Sequence, residues 1–300
     1  MKGLRHHRKL FIFILILLFI STSFAWSYCR SKYSLTNTPY TIDTEKIREP
    51  IRILQITDLH NSTFGEKNQK LMELSAAQSP DLIFLTGDLL NSKDPRTEIA
   101  TKLIANLCDI APVYISLGNH EIEHHENFGT DIISLYEAAG GIVLEKQYED
   151  ITMNGQQIRV GGIYGYCLPE KYLKTKEADP EECAFLNDFQ NTERYTMLLC
   201  HMPVCWMIND GLDEWNVDSI FSGHVHGGQV ILPRIGGVYA PDLGYFPGKL
   251  EGLFESEDGS STMVLSRGLG STESIPRLNN IPEVVTVDLV PTSFPLPGNS

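Results

Sequence analysis

Apolar and polar positions change rhythm along this chain. Leu10 to about Trp26 form one apolar run that only Ser21, Thr22 and Ser23 interrupt, whereas Ser34 to Pro50 are polar and mixed. From Ile51 onward, short apolar runs alternate with stretches of helical spacing. "IRILQIT" (51–57), "DLIFLTG" (81–87) and "VYISL" (113–117) predict buried strands. "KNQKLMELSAAQ" (67–78), "PRTEIATKLIANL" (95–107) and "TDIISLYEAAG" (130–140) predict the helices between and after them. This βαβαβα order implies a largely parallel sheet covered on its faces.

The pattern then shifts. Asn154-Gly155 sits between two strand-like runs (150–163), a strong hairpin signal. After a helical stretch near Pro180 to Gln190 come "YTMLLC" (195–200), "DSIFS" (218–222), a second hairpin around "ESEDGSS" (255–261) and a last strand "EVVTVDL" (283–289). This half reads as more antiparallel. The expected fold class is α/β, with two packed mixed β-sheets flanked by helices in a four-layer α-β-β-α sandwich. The expected divisions are an anchor over 1–33, a linker over 34–50, a single domain over 51–290 and a frayed tail over 291–300. There is no internal repeat and no low-complexity block.

The amino-terminal run changes the picture of location. Lys2, Arg5, Arg8 and Lys9 precede it and Arg30 and Lys32 follow it, which favours the amino terminus inside and the body outside. About 17 apolar residues overlap the long signal peptide and the shortest spanning helix. A small-x-small site at Ala25 permits cleavage, while Trp26 and Tyr28 suit the interfacial belt of a retained anchor, the reading taken here. The expected location is the cell membrane, single-pass, with the body extracytoplasmic, or secretion after cleavage.

Charge excludes one class of partner. Without those four basic residues the 24 Lys+Arg become 20 against 38 Asp+Glu, a balance of −18. Such a body repels a phosphate backbone, so nucleic-acid binding through basic patches is not expected. The cysteines at 29, 108, 167, 183, 200 and 205 form no C-x-x-C pair, so no cysteine metal site is expected, and the spacing selects no disulfide. Cys108 and Cys200 follow apolar runs and read as buried thiols.

Five predicted strands end in residues with metal-ligand chemistry: Asp58 and His60; Asp88; Asn119, His120 and Glu121; His201; and His224 with His226. Each motif alone fits a turn, a cap or a core histidine. Together they converge, because ligands bind beyond the carboxyl ends of strands in α/β sheets. Two aspartates, an asparagine carbonyl and imidazoles form an oxygen/nitrogen set without thiolate, suited to Mn, Fe or Zn. Seven such ligands, two aspartates, one asparagine and four imidazoles, are too many for one ion and right for two divalent ions sharing a carboxylate. Such a pair can hold a hydroxide for in-line attack at phosphorus.

The ordered set "DLH", "GDLLNS", "GNHE", "CHMP" and "GHVHGGQ" resembles the calcineurin-like metallophosphoesterase superfamily. "GGVYAPDLGYFPGKLEGLFE" and "SRGLGSTESIPRLNNIPE" resemble its membrane-associated bacterial branch. The resemblance implies Asp58, His60 and His226 on a first metal, Asn119, His201 and His224 on a second, and Asp88 between them. It places His120 beside the metals as the catalytic residue and gives Glu121 the task of orienting it. The glycines of 223–228 would let backbone and substrate approach. The partner implied is a phosphomonoester or diester, with a lipid-linked phosphate or a non-catalytic metal-binding scaffold as alternatives. His124 and His125 read as solvated. Arg277 and Asn279 could reach a substrate phosphate or serve a capped loop.

Overall fold

A computed structural model describes residues 2–167, 169–208, 210–271 and 276–292. The long helix α1 (Lys2–Tyr33) leads directly into β1 (Thr36–Thr44). Then come β2 (Ile51–Ile56), α2 (Gln69–Ala77), β3 (Leu82–Thr86), α3 (Glu98–Cys108), β4 (Val113–Ser116), α4 (Asn119–Phe128), α5 (Ile132–Ala138) and β5 (Ile142–Val143). The second part holds β6 (Gln147–Met153), β7 (Gln156–Ile163), α6 (Pro169–Thr175), α7 (Pro180–Phe189), β8 (Tyr195–Cys200), α8 (Val204–Met207) and β9 (Ser219–Ser222). A small sheet of β10 (Ile231–Leu232), β11 (Gly236–Ala240) and β12 (Gly244–Gly248) precedes β13 (Gly252–Glu255), β14 (Thr262–Leu265) and β15 (Glu283–Pro291).

One large sheet has the order β1-β15-β2-β3-β4-β5 and the other β13-β14-β9-β8-β7-β6. Alternation along the strands builds the layers. Ile51 and Ile53 of β2, with Leu82 and Phe84 of β3, face Val160, Met197, Leu199 and Phe221 of the other sheet. Leu54, Ile56, Ile83 and Leu85 turn the other way onto Leu71, Leu103, Ile104 and Tyr136 of α2, α3 and α5. Leu198, Cys200 and Ile220 cover the outer face of the second sheet with Leu186, Phe189 and Trp206. Both faces of the central strands are therefore buried, which is why they read as continuous apolar runs. The four-layer sandwich expected from the sequence is the observed architecture.

Three differences matter. The stretch read as a linker contains β1, which pairs in parallel with β15 from Thr36↔Glu283 to Thr44↔Pro291. As an edge strand it buries little beyond Ile42, so its sequence stays polar and carries no core signal. Secondly, the second sheet is not mainly antiparallel: β14-β9, β9-β8 and β8-β7 are all parallel pairs. Its hairpins occupy the two edges and its parallel strands the middle. Finally, β15 runs through Pro291, one residue into the expected tail, and 293–300 lie outside the described residues.

Candidate metal centre

The parallel strands β2, β3 and β4 of one sheet and β8 and β9 of the other all end at the same edge. Two buried cross-links align them there. The Gln55 amide donates to Thr86 Oγ1 at 3.0 Å and to the Ser222 carbonyl at 2.9 Å, and His201 Nδ1–H donates to the Thr86 carbonyl at 2.7 Å. Gly223 is confined at this junction, since a Cβ would stand 2.5 Å from Asp58 Oδ2. The Gly-His turn can therefore lie directly on the Asp58 loop.

Asp58, His60 and His226 each bring a ligand atom within 4.8 Å of the others; Asp88, His201 and His224 do the same. Asp88 belongs to both neighbourhoods: its Oδ2 is 3.7 Å from His60 Nε2 and 3.3 Å from His201 Nε2. Asn119 completes the second group, with Oδ1 3.1 Å from His224 Nδ1. All seven positions predicted as ligands thus meet at one place. Asp58, His60, Asp88, His224 and His226 hold positive φ angles of 53°, 47°, 54°, 70° and 49°. Such backbone is costly for non-glycine residues and concentrates at functional sites.

The site's polar atoms fit cations. Both ring nitrogens of His60 and the Nε2 of His201 are buried without a hydrogen-bond partner, a situation a buried polar group rarely tolerates. His224 Nε2 lies 3.0 Å from Asp242 Oδ2. A carboxylate only accepts, so the ring proton sits on Nε2 and a neutral ring points a lone pair from Nδ1 at the Asn119 oxygen. Two acceptors facing each other in this way suit a cation near both. His226 Nδ1 lies 3.2 Å from the Gly270 carbonyl and 3.3 Å from Arg277 Nη2, contacts that hold the ring in place. Second partners of this kind fix ligand tautomers at metal sites.

Burial and neighbouring charge act strongly on these side chains. Burial pushes the Asp58 carboxyl up to about 7; His201 opposes the rise and Asp88 adds to it. Burial lowers the His60 imidazole to about 3. Burial also disfavours His201 cation, but the Asp88 carboxylate outweighs this and holds the ring up at about 9.

A family model of calcineurin-like phosphoesterases matches residues 51–228, more than half of the chain. The chain belongs to the calcineurin-like phosphoesterase family. It is a metallophosphoesterase, a metal-dependent hydrolase of phosphoester bonds. It is similar to the uncharacterized metallophosphoesterase YkuE of Bacillus subtilis, 26% identical over 270 residues, 87% of this chain and 87% of the relative. The phosphodiesterase YaeI of Escherichia coli is 28% identical over 250 residues, 80% of this chain and 83% of YaeI. Among solved structures, phosphopantetheinyl hydrolase from Mycobacterium tuberculosis aligns with a TM-score of 0.41 at 13% identity, over 71% of this chain and 87% of that one.

Several side chains of this metallophosphoesterase act differently from their sequence reading. His120 lies beside the ligands, its ring 4.5 Å from that of His60, and Asp88 Oδ1 accepts its backbone N–H at 2.8 Å. Its Nδ1 accepts from the Ser92 N–H at 2.9 Å, so a neutral ring carries its proton on Nε2. The orienting group is therefore a backbone amide and not Glu121. Glu121 instead accepts from the N–H groups of Asp88, Leu89, Leu90 and Gly118 and from the Tyr136 hydroxyl, at 2.7 to 3.0 Å. It ties the loop after β3 to the loop after β4. Glu121→Ala should leave these buried donors unpaired and lower stability by about 3 kcal/mol or more, read as a fall in melting temperature with weakened metal retention. An unchanged melting temperature would contradict this role.

His124 is buried, not solvated, because it shares the inward face of α4 with Glu121; its ring lies 4.8 Å from that of Phe128. His125 is exposed as expected, with Nδ1 2.8 Å from the Thr130 carbonyl. Arg277 is spent on the Gly270 and Arg267 carbonyls and Asn280 Oδ1, with Nη2 also 3.3 Å from His226 Nδ1. Asn279 bonds to Ser27 and Ile231. Neither is left to bind a phosphate; both build the loop behind His226. Gly227 and Gly228 pack on Arg267 and on Gly237, so their task is internal packing and not substrate approach. Asp242 and Ser92 were missed, for no periodicity or motif marks a second partner supplied by a distant turn. Cys167 and Cys205 form a disulfide, while Cys200 is a buried thiol and Cys108 a half-buried one.

Proposed function

We propose that this metallophosphoesterase is a membrane-tethered enzyme with two divalent ions. Asp58, His60, Asp88 and His226 hold one; Asp88, Asn119, His201 and His224 hold the other. The observation that carries the reading is the position of Asp88 Oδ2, 3.7 Å from His60 Nε2 and 3.3 Å from His201 Nε2. The donor set suits Mn, Fe or Zn. Bound there, the ions would supply Lewis-acid stabilisation of the phosphoryl oxygens and an activated water for in-line attack. His120, with its proton on Nε2, donates to the leaving oxygen or to the charge on the phosphoryl group. Asp242 keeps His224 in the ligating tautomer, and Gly270 and Arg277 hold the His226 ring in place.

Bis(p-nitrophenyl) phosphate should be hydrolysed by the full chain loaded with Mn, Fe or Zn and not after chelation, with two ions per chain by elemental analysis. One ion or none in active protein would overturn the two-ion assignment.

The tether is α1, whose segment Lys9–Tyr33 is long and apolar enough to cross a membrane. In this reading the body lies outside the cytoplasm. The basic residues before Leu10 support this orientation, as does the Cys167–Cys205 disulfide, since such bonds persist in oxidising compartments. Protease added outside cells stripped of any outer barrier should digest the body. Complete protection would reverse the orientation.

A further inference from the structure

The metal centre is wired to the end of the anchor. Asn280 donates its backbone N–H to Ser31 Oγ of α1 at 3.1 Å, and its side-chain amide to the His226 carbonyl at 2.7 Å. Ser31 is itself buried against the body. It lies only five residues after Trp26, where the apolar run ends, a rise of about 7.5 Å along a helix. A candidate ligand is thus two hydrogen bonds from a residue one to two turns beyond the end of the apolar run. A cavity of about 450 Å³ lies at the same level, between Tyr28, Ser31 and Tyr33 of α1 and the loops holding Asn61 and Gly270. Gly270 is the residue whose carbonyl fixes His226.

The small sheet β10-β11-β12 makes a second connection. At one end, Asn279 donates its backbone N–H to Ser27 Oγ of α1 at 2.8 Å and its side-chain amide to the Ile231 carbonyl of β10 at 3.0 Å. At the other, the turn after β11 carries Asp242, whose Oδ2 meets His224 Nε2 at 3.0 Å. From Gly236, which pairs with Leu232, to Asp242 is at most about 20 Å of extended chain. This sheet therefore spans from the anchor's exit to the metal centre. It exposes Ile235 at 57%, Tyr245 at 70% and Phe246 at 60%, with exposed Arg234 beside Ile235. Beyond α1, the other exposed large apolar side chains among the described residues are Ile122 and Phe128, both on α4, which begins at Asn119. Exposed apolar surface thus collects on the two elements flanking the metals.

A body with a charge balance of −18 beyond its first 25 residues is repelled by an anionic bilayer, so contact with lipid must come from apolar insertion more than from charge. We propose that Ile235, Tyr245 and Phe246 form an interfacial membrane-binding surface continuous with α1, and that the phosphoester brought to the metals is carried by an amphiphile embedded in that membrane. The inference rests on the phosphoesterase reading above and names its substrate class. Water or hydroxide attacks phosphorus, the ester P–O bond breaks, and the departing oxygen takes a proton; the acyl or alkyl part stays in the bilayer.

The test compares hexadecyl p-nitrophenyl phosphate with methyl p-nitrophenyl phosphate, two diesters with the same leaving group, using metal-loaded full chain in detergent micelles. The hexadecyl ester should be favoured in kcat/KM by at least about 100-fold. In the triple variant Ile235→Ser, Tyr245→Ser, Phe246→Ser that ratio should fall at least ten-fold; being a ratio, it cancels general losses of fold or metal. Equal use of both esters, or a ratio unmoved in the variant, would overturn the inference while leaving the phosphoesterase reading intact. Hydrolysis of neither ester would overturn the phosphoesterase reading itself.

Discussion

Asp88→Ala should empty both metal positions together and lower kcat/KM by at least about 10³-fold, since two bound ions supply several kcal/mol of charge stabilisation. The carboxylate stands between the two groups: its Oδ2 lies 3.7 Å from His60 Nε2, on the loop after β2, and 3.3 Å from His201 Nε2, after β8 of the other sheet. It also accepts the His120 N–H through Oδ1. His226→Ala is the control. His226 neighbours Asp58 and His60 but stands outside the Asp88–His201–His224 group, so its loss should chiefly weaken one ion. Elemental analysis of the two variants decides. Loss of the same single ion in both would remove Asp88 from its bridging role.

His120→Ala should act on the reaction and not on the metals. Its ring also brings a nitrogen within 4.8 Å of ligand atoms of His60 and Asp88, but Asp58, His60 and His226 and Asp88, His201 and His224 form two groups that do not need it, and its Nδ1 accepts the Ser92 N–H at 2.9 Å, which in a neutral ring leaves the proton on Nε2. A positioned acid contributes about 10²–10⁴-fold, so the maximal rate should fall by that range while both ions are retained. If the ring protonates the leaving oxygen, the loss should shrink for p-nitrophenyl esters, because p-nitrophenolate departs readily without a proton. If it stabilises the phosphoryl oxygens, good and poor leaving groups should suffer alike. A near-normal rate on an alkyl ester would take His120 out of the mechanism, and loss of an ion would make it a ligand.

Glu121 shows how such reasoning can fail at one residue while succeeding around it. A carboxylate next to His120 in sequence is an obvious candidate to orient the ring. On α4, however, successive side chains diverge by about 100°. His120 therefore turns toward the Ser92 amide while Glu121 faces the Asp88 loop. The same rotation buries His124, three residues after Glu121.

The sequence by itself determined the central strands, the layers and the seven side chains that meet at the strand ends. A buried parallel strand is apolar along most of its length, so "IRILQI", "LIFLT" and "YTMLLC" stand out, and Asp58, Asp88 and His201, each within two residues of a strand end, are exceptional. Tertiary structure alone decided what supports the site and where it points. β1 is an edge strand paired with a segment some 250 residues away, and edge strands need little apolar sequence. Ser92, Asp242 and Gly270 reach the histidines through a backbone amide, one exposed carboxylate and a carbonyl. Groups of that kind are present in every chain, and only the path of the backbone brings them to a metal ligand. The anchor's link to His226 through Ser31 and Asn280 is of the same sort: two ordinary polar residues, 249 positions apart, acquire meaning when packing sets one upon the other.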